Sequence, residues 1–181
     1  MGKCLSKSSD ADNLEINNNK SSQSSQSSQS ISDKQLMDID ITTVPNVIFQ
    51  NFPIRARVID VYDGDTITVI FLIEDSPILF KIRLSGIDTP EIKTGKGKLK
   101  TEKIAGKKCR DYLSNLIGDK LINLTILDWD KYGGRLIGII KIDDNTNINN
   151  VMINRGYARP YDGGKKLKWT RSELRKIINI N

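Results

Sequence analysis

The sequence predicts an α+β protein that consists mainly of a five-stranded Greek-key barrel of the OB-fold type, with about three helices packed against it. Five short stretches alternate between apolar and polar residues, as strands with one buried face do. One longer stretch, between the third and the fourth strand, repeats its apolar residues at helical spacing instead. Three strands before a helix and two after it are the element order that this kind of barrel requires.

The first three predicted strands follow one another closely. The stretch ARVIDVY alternates, and the Asp63–Gly64 dipeptide after it is typical of a type I′ hairpin turn. The second strand is DTITVIFLI, and EDSP separates it from the third strand, ILFKIRL. These stretches predict three successive strands, the last of which ends at the sequence SGIDTPE.

The remaining elements complete the barrel and supply its helices. Apolar spacing predicts an amphipathic helix over about 101–117 that ends near Gly118. The fourth and fifth strands are LINLTILDW and RLIGIIKI, joined by the turn DKYGG. A short helix, INNVMINR, is stopped by Gly156 in a left-handed conformation. The capping box TRSE at 170–173 then begins a last helix, which runs to about Ile178.

The N-terminal part of the chain has a different character. We expect residues 1–50 to form a disordered tail and residues 51–181 to form the folded domain, because the repeat KSSQSSQSSQS buries too little apolar surface to offset its ordering entropy. The start, MGKCLSK, fits the myristoylation pattern at Gly2, and Cys4 can take a second acyl chain. An unmodified start is the alternative. No membrane span or secretory signal is recognisable, so we expect an intracellular protein, anchored on the cytoplasmic side of a membrane if it is acylated.

Charge and residue usage limit the chemistry of the folded domain. The net charge is +6, although residues 1–44 hold four Lys against six Asp and Glu, so the positive excess belongs to the folded part. This favours a polyanionic partner, such as nucleic acid or an acidic membrane surface, over ordinary solubility. The absence of histidine excludes Ser-His-Asp and Cys-His catalysis, and two cysteines are too few for a structural zinc site. Any metal should therefore be a hard cation bound by oxygen atoms.

Four carboxylates lie next to the predicted strand ends. Asp63 precedes a glycine and suits a purely conformational role in the turn. Asp65 opens a strand, where aspartate is disfavoured, so it needs another task. Asp88 and Glu91 flank a Thr-Pro pair and are either turn residues or metal ligands. Two carboxylates and a backbone carbonyl can hold a hard cation, and a further carboxylate can orient or deprotonate water.

Two arginines accompany these acids. Arg83 lies five residues before Asp88 on the third predicted strand, and Arg135 opens the fifth. Their planar guanidinium groups can donate hydrogen bonds to a phosphate and to the negative charge that develops on it. The combination of carboxylates and arginines indicates phosphodiester hydrolysis, which depends on positioning and charge stabilisation and needs no histidine.

Four motifs, in order, resemble the staphylococcal nuclease (thermonuclease) family: DGDT, RLSGIDTPE, DKYGGR and NVMINRGYARPY. The resemblance covers about residues 55–170 and implies an OB-type barrel with packed helices, in agreement with the strand count. It implies a hydrolase of the endonuclease or exonuclease type that cleaves DNA and RNA with calcium and leaves 3′-phosphates. One calcium ion would be bound by Asp65, by Asp88 and by the backbone carbonyl of Thr89, and Glu91 would be the general base.

The resemblance further implies that Arg83 and Arg135 bind the phosphate. One departure affects the second arginine, because the family usually has one glycine before it where this chain has Gly133 and Gly134. The turn either absorbs the extra residue or shifts the guanidinium group, and a misplacement of about 1 Å can lower the rate about 10²-fold.

Substrate contacts are also implied by the resemblance. Lys131 and Tyr132 match positions near the nucleotide, and Tyr161 is a candidate for stacking on a base. The stretch 93–110 is rich in lysine, which indicates either a rim that follows the phosphate backbone or a solvated surface.

Two alternatives from other functional classes stay open at this point. One is a catalytically inactive nucleic-acid-binding or scaffold module that is tethered to a membrane. The other is a membrane-attached protein-interaction domain. Suitable side chains are retained at all six positions that the family resemblance identifies, and this favours an active, monomeric nuclease.

Overall fold

The computed structural model describes residues 33–40, 42, 49–93 and 100–181 of the chain. The acylation pattern at Gly2 and Cys4, the serine and glutamine repeat, and part of the basic loop after Ile92 lie outside these residues. The chain divides into two compact units at Pro45. In the first unit, the described residues contain the short helix α1 (Asp33–Met37). Within the described ranges, no helix is long and apolar enough to cross a membrane.

The second unit, residues 46–181, contains the barrel and three helices. Its elements are, in chain order, β1 (Phe52–Val61), β2 (Thr66–Ile73), β3 (Ser76–Leu84), β4 (Ile87–Asp88), α2 (Lys100–Ile117), β5 (Leu121–Trp129), β6 (Leu136–Lys141), α3 (Ile148–Asn154), β7 (Arg159–Pro160) and α4 (Arg171–Ile178). The long elements follow the predicted order. The two-residue strands β4 and β7 were not predicted, because two residues are too few to show a periodicity.

Five strands close into a barrel in the order β1-β2-β3-β6-β5. Neighbouring strands are antiparallel except for β3 and β6, which are parallel. Closure pairs the two edges that an open sheet would leave exposed. The predicted five-stranded barrel is confirmed.

Apolar side chains at alternate strand positions fill the barrel. Val58, Val69 and Ile82 face inward from three different strands and are completely buried. Gly138 on β6 makes room for this packing, since a Cβ atom there would lie 2.7 Å from Cδ1 of Leu124. The interior is therefore a packed core rather than a channel.

Helix α2 lies directly behind the segment that follows β4. Gly106 allows this close approach, because a Cβ atom there would lie 2.5 Å from the backbone oxygen of Pro90. The helix thus supports the backbone that carries Thr89 and Glu91. Its buried stripe, spaced four residues apart, consists of Ala105, Cys109, Leu113 and Ile117.

The other two helices have the ends that the sequence predicts. The side chain of Asn147 accepts a hydrogen bond from the backbone N–H of Asn150 at the start of α3. After α3, Gly156 adopts the predicted left-handed conformation with φ +79. At the start of α4, the side chains of Thr170 and Glu173 form both bonds of the predicted capping box. Three packed helices are thereby confirmed.

The turn between β1 and β2 differs from the prediction. Type I′ geometry requires positive φ at both central residues, and neither Asp63 nor Gly64 has it. The backbone N–H of Asp63 instead donates to the oxygen of Thr66 at 3.3 Å. Gly64 is required by packing, because a Cβ atom there would lie 2.7 Å from Cβ of Cys109 and 2.9 Å from Cβ of Thr89.

Candidate active site

A cleft of about 1070 Å³ opens at one end of the barrel. The start of β2 lies beside the end of β3 there, and the end of β5 lies beside the start of β6, as their pairing requires. The turn between β5 and β6 and the segment after β7 complete the walls. Six residues that the sequence singled out line this cleft: Asp65, Arg83, Lys131, Tyr132, Arg135 and Tyr161.

Asp65 connects the first two site segments. Its side chain is almost completely buried, and its Oδ2 accepts hydrogen bonds from the backbone N–H of Thr89 at 3.0 Å and from the Thr89 hydroxyl at 3.1 Å. The same Oδ2 lies 3.1 Å from Nη1 of Arg83. The start of β2 is thereby fixed against the end of β4, which explains why an aspartate is tolerated at a buried strand start.

Arg83 is held in place from several sides. Its Nη1 donates to the backbone oxygen of Leu84 at 3.1 Å, and its Nη2 donates to that of Ile87 at 2.8 Å. Its guanidinium group also lies 6.0 Å from the ring centroid of Tyr161. Only 12% of the side chain is exposed. The guanidinium group therefore faces the cleft in one defined orientation.

Asp88 is the most deeply buried acid of the site, with 1% of its side chain exposed. Arg159 on β7, which pairs with β4, donates to Oδ2 of Asp88 from Nε at 3.1 Å and from Nη2 at 2.8 Å. The other oxygen, Oδ1, lies 2.8 Å from Nζ of Lys166. That ammonium group is also 2.6 Å from Oε1 of Glu91. Two cations therefore compensate a carboxylate that would be costly to bury alone.

Arg159 and Lys166 are functional-site residues that the sequence analysis missed. Arg159 is fixed by contacts of its own: its Nη2 donates to the oxygen of Leu167 at 2.5 Å, and its guanidinium carbon lies 4.0 Å from the ring centroid of Trp169. The available signal was an arginine inside the motif GYARPY and a lysine after two glycines. Neither pattern reveals a carboxylate partner more than seventy residues earlier in the chain.

Asp63 is buried beside Asp65 rather than exposed in a surface turn. Its Oδ1 accepts a hydrogen bond from the backbone N–H of Asp65 at 3.1 Å, which is the conformational role that the sequence suggested. Burial, and then the neighbouring charge of Asp65, raise the pKa of Asp63 to about 7. Asp63 thus shapes the turn and, with its raised pKa, is only partly ionised near neutral pH.

Burial also affects the pKa of Lys166, but it disfavours the charged form of a lysine by lowering the pKa, whereas it raises that of an aspartate. Burial lowers the pKa of the Lys166 ammonium, but its close contacts with the carboxylates of Asp88 and Glu91 outweigh this effect and raise the pKa above its usual value. Lys166 is therefore a firmly charged group between the two carboxylates.

Arg135 lies at the end of the turn that contains the additional glycine. Gly133 and Gly134 both adopt left-handed conformations, with φ +70 and +72, which glycine reaches without strain. The backbone N–H of Asp130 donates to the oxygen of Arg135 at 3.0 Å, so the hairpin closes around the two glycines. Nε of Arg135 donates to the Asp130 carboxylate at 2.8 Å, and its Nη2 bonds the same oxygen.

The three candidate substrate contacts lie close to one another. Tyr132 is 81% exposed, and Nζ of Lys131 lies 5.2 Å from its ring centroid. Lys131 also donates to the backbone oxygen of Gly163 at 3.0 Å, and the hydroxyl of Tyr161 donates to that of Gly164 at 2.7 Å. The Lys131 contact attaches the segment that carries Lys166 to the turn between β5 and β6, whereas the Tyr161 contact is local to that segment.

The lysine-rich stretch 93–110 does not form one uniform rim. Residues 94–99 lie outside the described part of the chain. Lys108 is turned inward, where its Nζ donates to the backbone oxygen of Ile178 at 2.7 Å and to that of Ile180. Lys108 therefore caps the C-terminal end of α4 from its position on α2. Lys103 and Lys107, by contrast, are exposed on α2.

The donor chemistry of the site fits a hard cation. Asp65, Asp88 and Glu91 offer only oxygen atoms, and the buried Oδ1 of Asp88 accepts no well-directed hydrogen bond. Oxygen atoms of Asp88 and Glu91 already converge on one positive charge, the ammonium of Lys166. In the described residues, no three acidic, cysteine or histidine side chains lie close enough to form a complete metal cluster.

Comparison with known proteins places this geometry in context. The sequence model of the family described as "Staphylococcal nuclease homologue" matches residues 81–179, more than half of the chain. This segment includes the positions of Arg83, Asp88, Glu91 and Arg135, whereas Asp65 lies before it.

Three relatives carry endonuclease names, and two of them illustrate the range of coverage. An "Uncharacterized endonuclease" from Escherichia coli O157:H7 is 35% identical over 109 residues, which cover 60% of this chain and 62% of that protein. "Endonuclease YhcR" from Bacillus subtilis (strain 168) is 35% identical over 108 residues, which cover 56% of this chain but 8% of that protein. The chain thus spans about six tenths of the first relative's length and a small part of the second.

Proposed function

The chain belongs to the staphylococcal nuclease homologue family, and on this premise we propose that it is a calcium-dependent nuclease that hydrolyses phosphodiester bonds in DNA, RNA or both. One observation carries the proposal. Asp65, Arg83 and Arg135, which are far apart in sequence, line a single cleft. Asp65 puts a carboxylate beside two guanidinium groups, and its hydrogen bonds to Thr89 connect it to the segment that carries Asp88 and Glu91. Carboxylates that can hold a hard cation beside guanidinium groups suit phosphodiester hydrolysis.

Three residues are proposed as the calcium ligands. The carboxylates of Asp65 and Asp88 and the backbone carbonyl of Thr89 would hold the ion. A bound calcium ion would supply positive charge close to the phosphate. Arg159 orients Asp88 by holding its Oδ2, so that Oδ1 is the oxygen that meets the other cation of the site, Lys166.

The reaction then depends on the chain's own side chains. Arg83 and Arg135 donate hydrogen bonds to the phosphate oxygens and stabilise the charge that develops on them. Glu91 removes a proton from a water molecule, and the water oxygen forms a bond to phosphorus. The bond from phosphorus to the 5′ oxygen breaks and that oxygen takes up a proton, which leaves a 3′-phosphate. Each arginine contributes about 10²–10³-fold to the rate.

The substrate is held by the outer part of the cleft. We assign Tyr161 and Tyr132 to contacts with bases or sugars, because an aromatic face stacks on any base. Lys131 is assigned to a backbone phosphate, and this contact should weaken as salt increases.

The decisive test compares cleavage of single-stranded DNA and RNA with CaCl₂ and with EDTA. Cleavage should require calcium and should fall at least about 10²-fold in Glu91→Gln, since the amide cannot accept the proton of the water. Asp144→Asn, a change of the same kind on an exposed loop, is the matched control and should retain full activity. Salt-sensitive binding of nucleic acid without any cleavage would instead identify an inactive binding module.

Attachment to a membrane is a separate part of the proposal. Acylation at Gly2 and Cys4 would hold this monomeric nuclease on the cytoplasmic side of a membrane, because two acyl chains give stable anchoring where one does not. Fractionation of eukaryotic cells that express the intact chain or Gly2→Ala tests it. Equal partitioning of the two proteins would refute the anchor and leave the nuclease proposal unaffected.

A further inference from the structure

The segment after β7 places a lysine between the two carboxylates on which the proposed reaction depends. Nζ of Lys166 lies 2.8 Å from Oδ1 of Asp88, a proposed calcium ligand, and 2.6 Å from Oε1 of Glu91, the proposed general base. An ammonium group and a calcium ion have the same preference for these oxygen atoms. Both cannot occupy the space between them, because like charges at contact distance repel strongly.

Burial explains why the position must hold a cation. Asp88 has 1% of its side chain exposed, and Arg159 compensates only the Oδ2 side of the carboxylate. Without a cation at Oδ1, the buried carboxylate of Asp88 would lie beside the carboxylate of Glu91 with only Arg159 to compensate its charge, and this would be costly. Lys166 supplies that cation from within the chain.

Lys166 is also placed so that it can leave. Its side chain is 40% exposed, against 20% for Arg159, and it joins the carboxylates to the cleft rather than to the core. It belongs to the stretch 162–168, which is outside any helix or strand and contains Gly163 with φ +87. A lysine side chain has several rotatable bonds, so its ammonium group can move several ångströms without any change in the backbone.

We propose that Lys166 is an internal competitor of the calcium ion and a substrate ligand once it is displaced. Without metal, its ammonium group neutralises Asp88 and Glu91 and blocks the general base. When calcium enters, Lys166 is released into the cleft that it shares with Arg83, where its charge can meet a phosphate oxygen of the substrate. This inference rests on the proposed function, since it deepens the account of the same site.

The competition has a measurable consequence for metal affinity. The apparent affinity for calcium is reduced by the fraction of molecules in which Lys166 occupies the site. Removing the ammonium group should therefore tighten calcium binding, although it removes a side chain that contacts two site residues. A lysine that only stabilises the fold would have no such effect.

Isothermal titration of the full-length protein with CaCl₂ provides the first test. We expect Lys166→Gln to bind calcium at least about tenfold more tightly than the parent protein. Lys165→Gln removes a neighbouring exposed lysine with no carboxylate contact and should bind calcium as the parent does. An unchanged or weaker affinity in Lys166→Gln would overturn the inference.

Chemical labelling of the parent protein provides a second test that needs no variant. Limited acetylation followed by mass spectrometry should label Lys166 slowly in EDTA and several-fold faster in CaCl₂, because its ion pairs are then broken. Lys165 should be labelled at the same rate in both. Equal labelling of Lys166 in the two conditions would contradict its displacement.

The two tests separate this inference from the proposed nuclease activity. Failure of both proteins to bind calcium would contradict the inference together with the metal requirement of the proposed function. Tighter binding in Lys166→Gln would support the competition even if neither protein cleaved nucleic acid, and in that case the nuclease proposal alone would fail.

Discussion

The two arginines that face the cleft are held in opposite ways. Arg83 is 12% exposed, pairs with the buried Asp65 and donates to backbone oxygens on both sides of the β3–β4 connection. Arg135 is 34% exposed, and the bonds that the structure describes for its guanidinium group go to one carboxylate, that of Asp130. One arginine is part of the barrel wall, whereas the other is attached to a turn.

This difference separates fixed from adjustable parts of the site. A buried side chain with several backbone partners has its orientation set by the fold, so the stability of the protein and its catalysis depend on it together. A side chain at a turn can change position when the turn changes length, at little cost to the barrel. The additional glycine occurs beside Arg135, the site at which the fold tolerates it.

The largest expected effect is that of Arg83→Gln. We expect kcat to fall about 10²–10³-fold, because a donor to the developing charge is lost. We also expect a loss of about 3 kcal/mol in the free energy of unfolding, since the buried Asp65 loses its cation. Urea unfolding in EDTA and a nuclease assay in CaCl₂ measure the two quantities. Lys81→Gln, an exposed position two residues earlier on the same strand, should change neither.

Arg135→Gln should lower kcat strongly while it lowers the free energy of unfolding less than Arg83→Gln does. We expect a fall in kcat of about 10²-fold for the same electrostatic reason. The free energy of unfolding should fall by about 2 kcal/mol, less than in Arg83→Gln, because Asp130 is buried but Arg135 is 34% exposed, so water reaches the carboxylate once the guanidinium group is gone. If both arginine variants lost equal stability, the distinction between a fixed and an adjustable arginine would be wrong.

Asp130→Asn sharpens the comparison by loosening Arg135 without removing it. The amide keeps the shape of the side chain but replaces a charge-assisted hydrogen bond with a neutral one, which is about half as strong. We expect kcat to fall about fivefold and the free energy of unfolding to change by less than about 1 kcal/mol. A loss as large as that of Arg135→Gln would show that Asp130 has a task beyond holding the arginine.

Gly134→Ala should have the smallest effect on activity. The residue has φ +72 and no atom within 4 Å of the place where a Cβ would stand, so the change strains the backbone but displaces nothing. We expect a loss of about 1 kcal/mol in the free energy of unfolding and nearly unchanged kcat. Gly134→Asn should recover much of that loss, because asparagine tolerates the left-handed conformation.

Local patterns predicted most of the barrel correctly. The alternation of β2 and β3 and the capping box at Thr170 and Glu173 depend on residues that are neighbours in the sequence, so the sequence expresses them directly. The turn at Asp63 and Gly64 was predicted wrongly as type I′. Thr89 and Cys109 leave no room for a side chain at Gly64, and a local pattern cannot reveal such distant neighbours.

The site, too, was predictable where local residue types decide it and unpredictable where distant contacts do. The residue types at Asp65, Arg83 and Arg135 indicated phosphate chemistry, and the structure brings these three to one cleft. Arg159 and Lys166 were missed, because each meets its carboxylate through a contact between residues more than seventy positions apart. Nothing in the local sequence distinguishes Lys166 from the many lysines that are exposed to solvent.

The sequence by itself determined the five barrel strands, the three helices packed on them, and which acidic and basic residue types stand near the strand ends. The tertiary structure alone decided which cation meets which carboxylate: Arg83 with Asp65, Arg159 with Asp88, and Lys166 with both Asp88 and Glu91. The physical reason is that secondary structure depends on the hydrophobic spacing and backbone preferences of neighbouring residues, whereas the compensation of a buried charge depends on distance in space. Closing the barrel is what brings these charges within reach of one another.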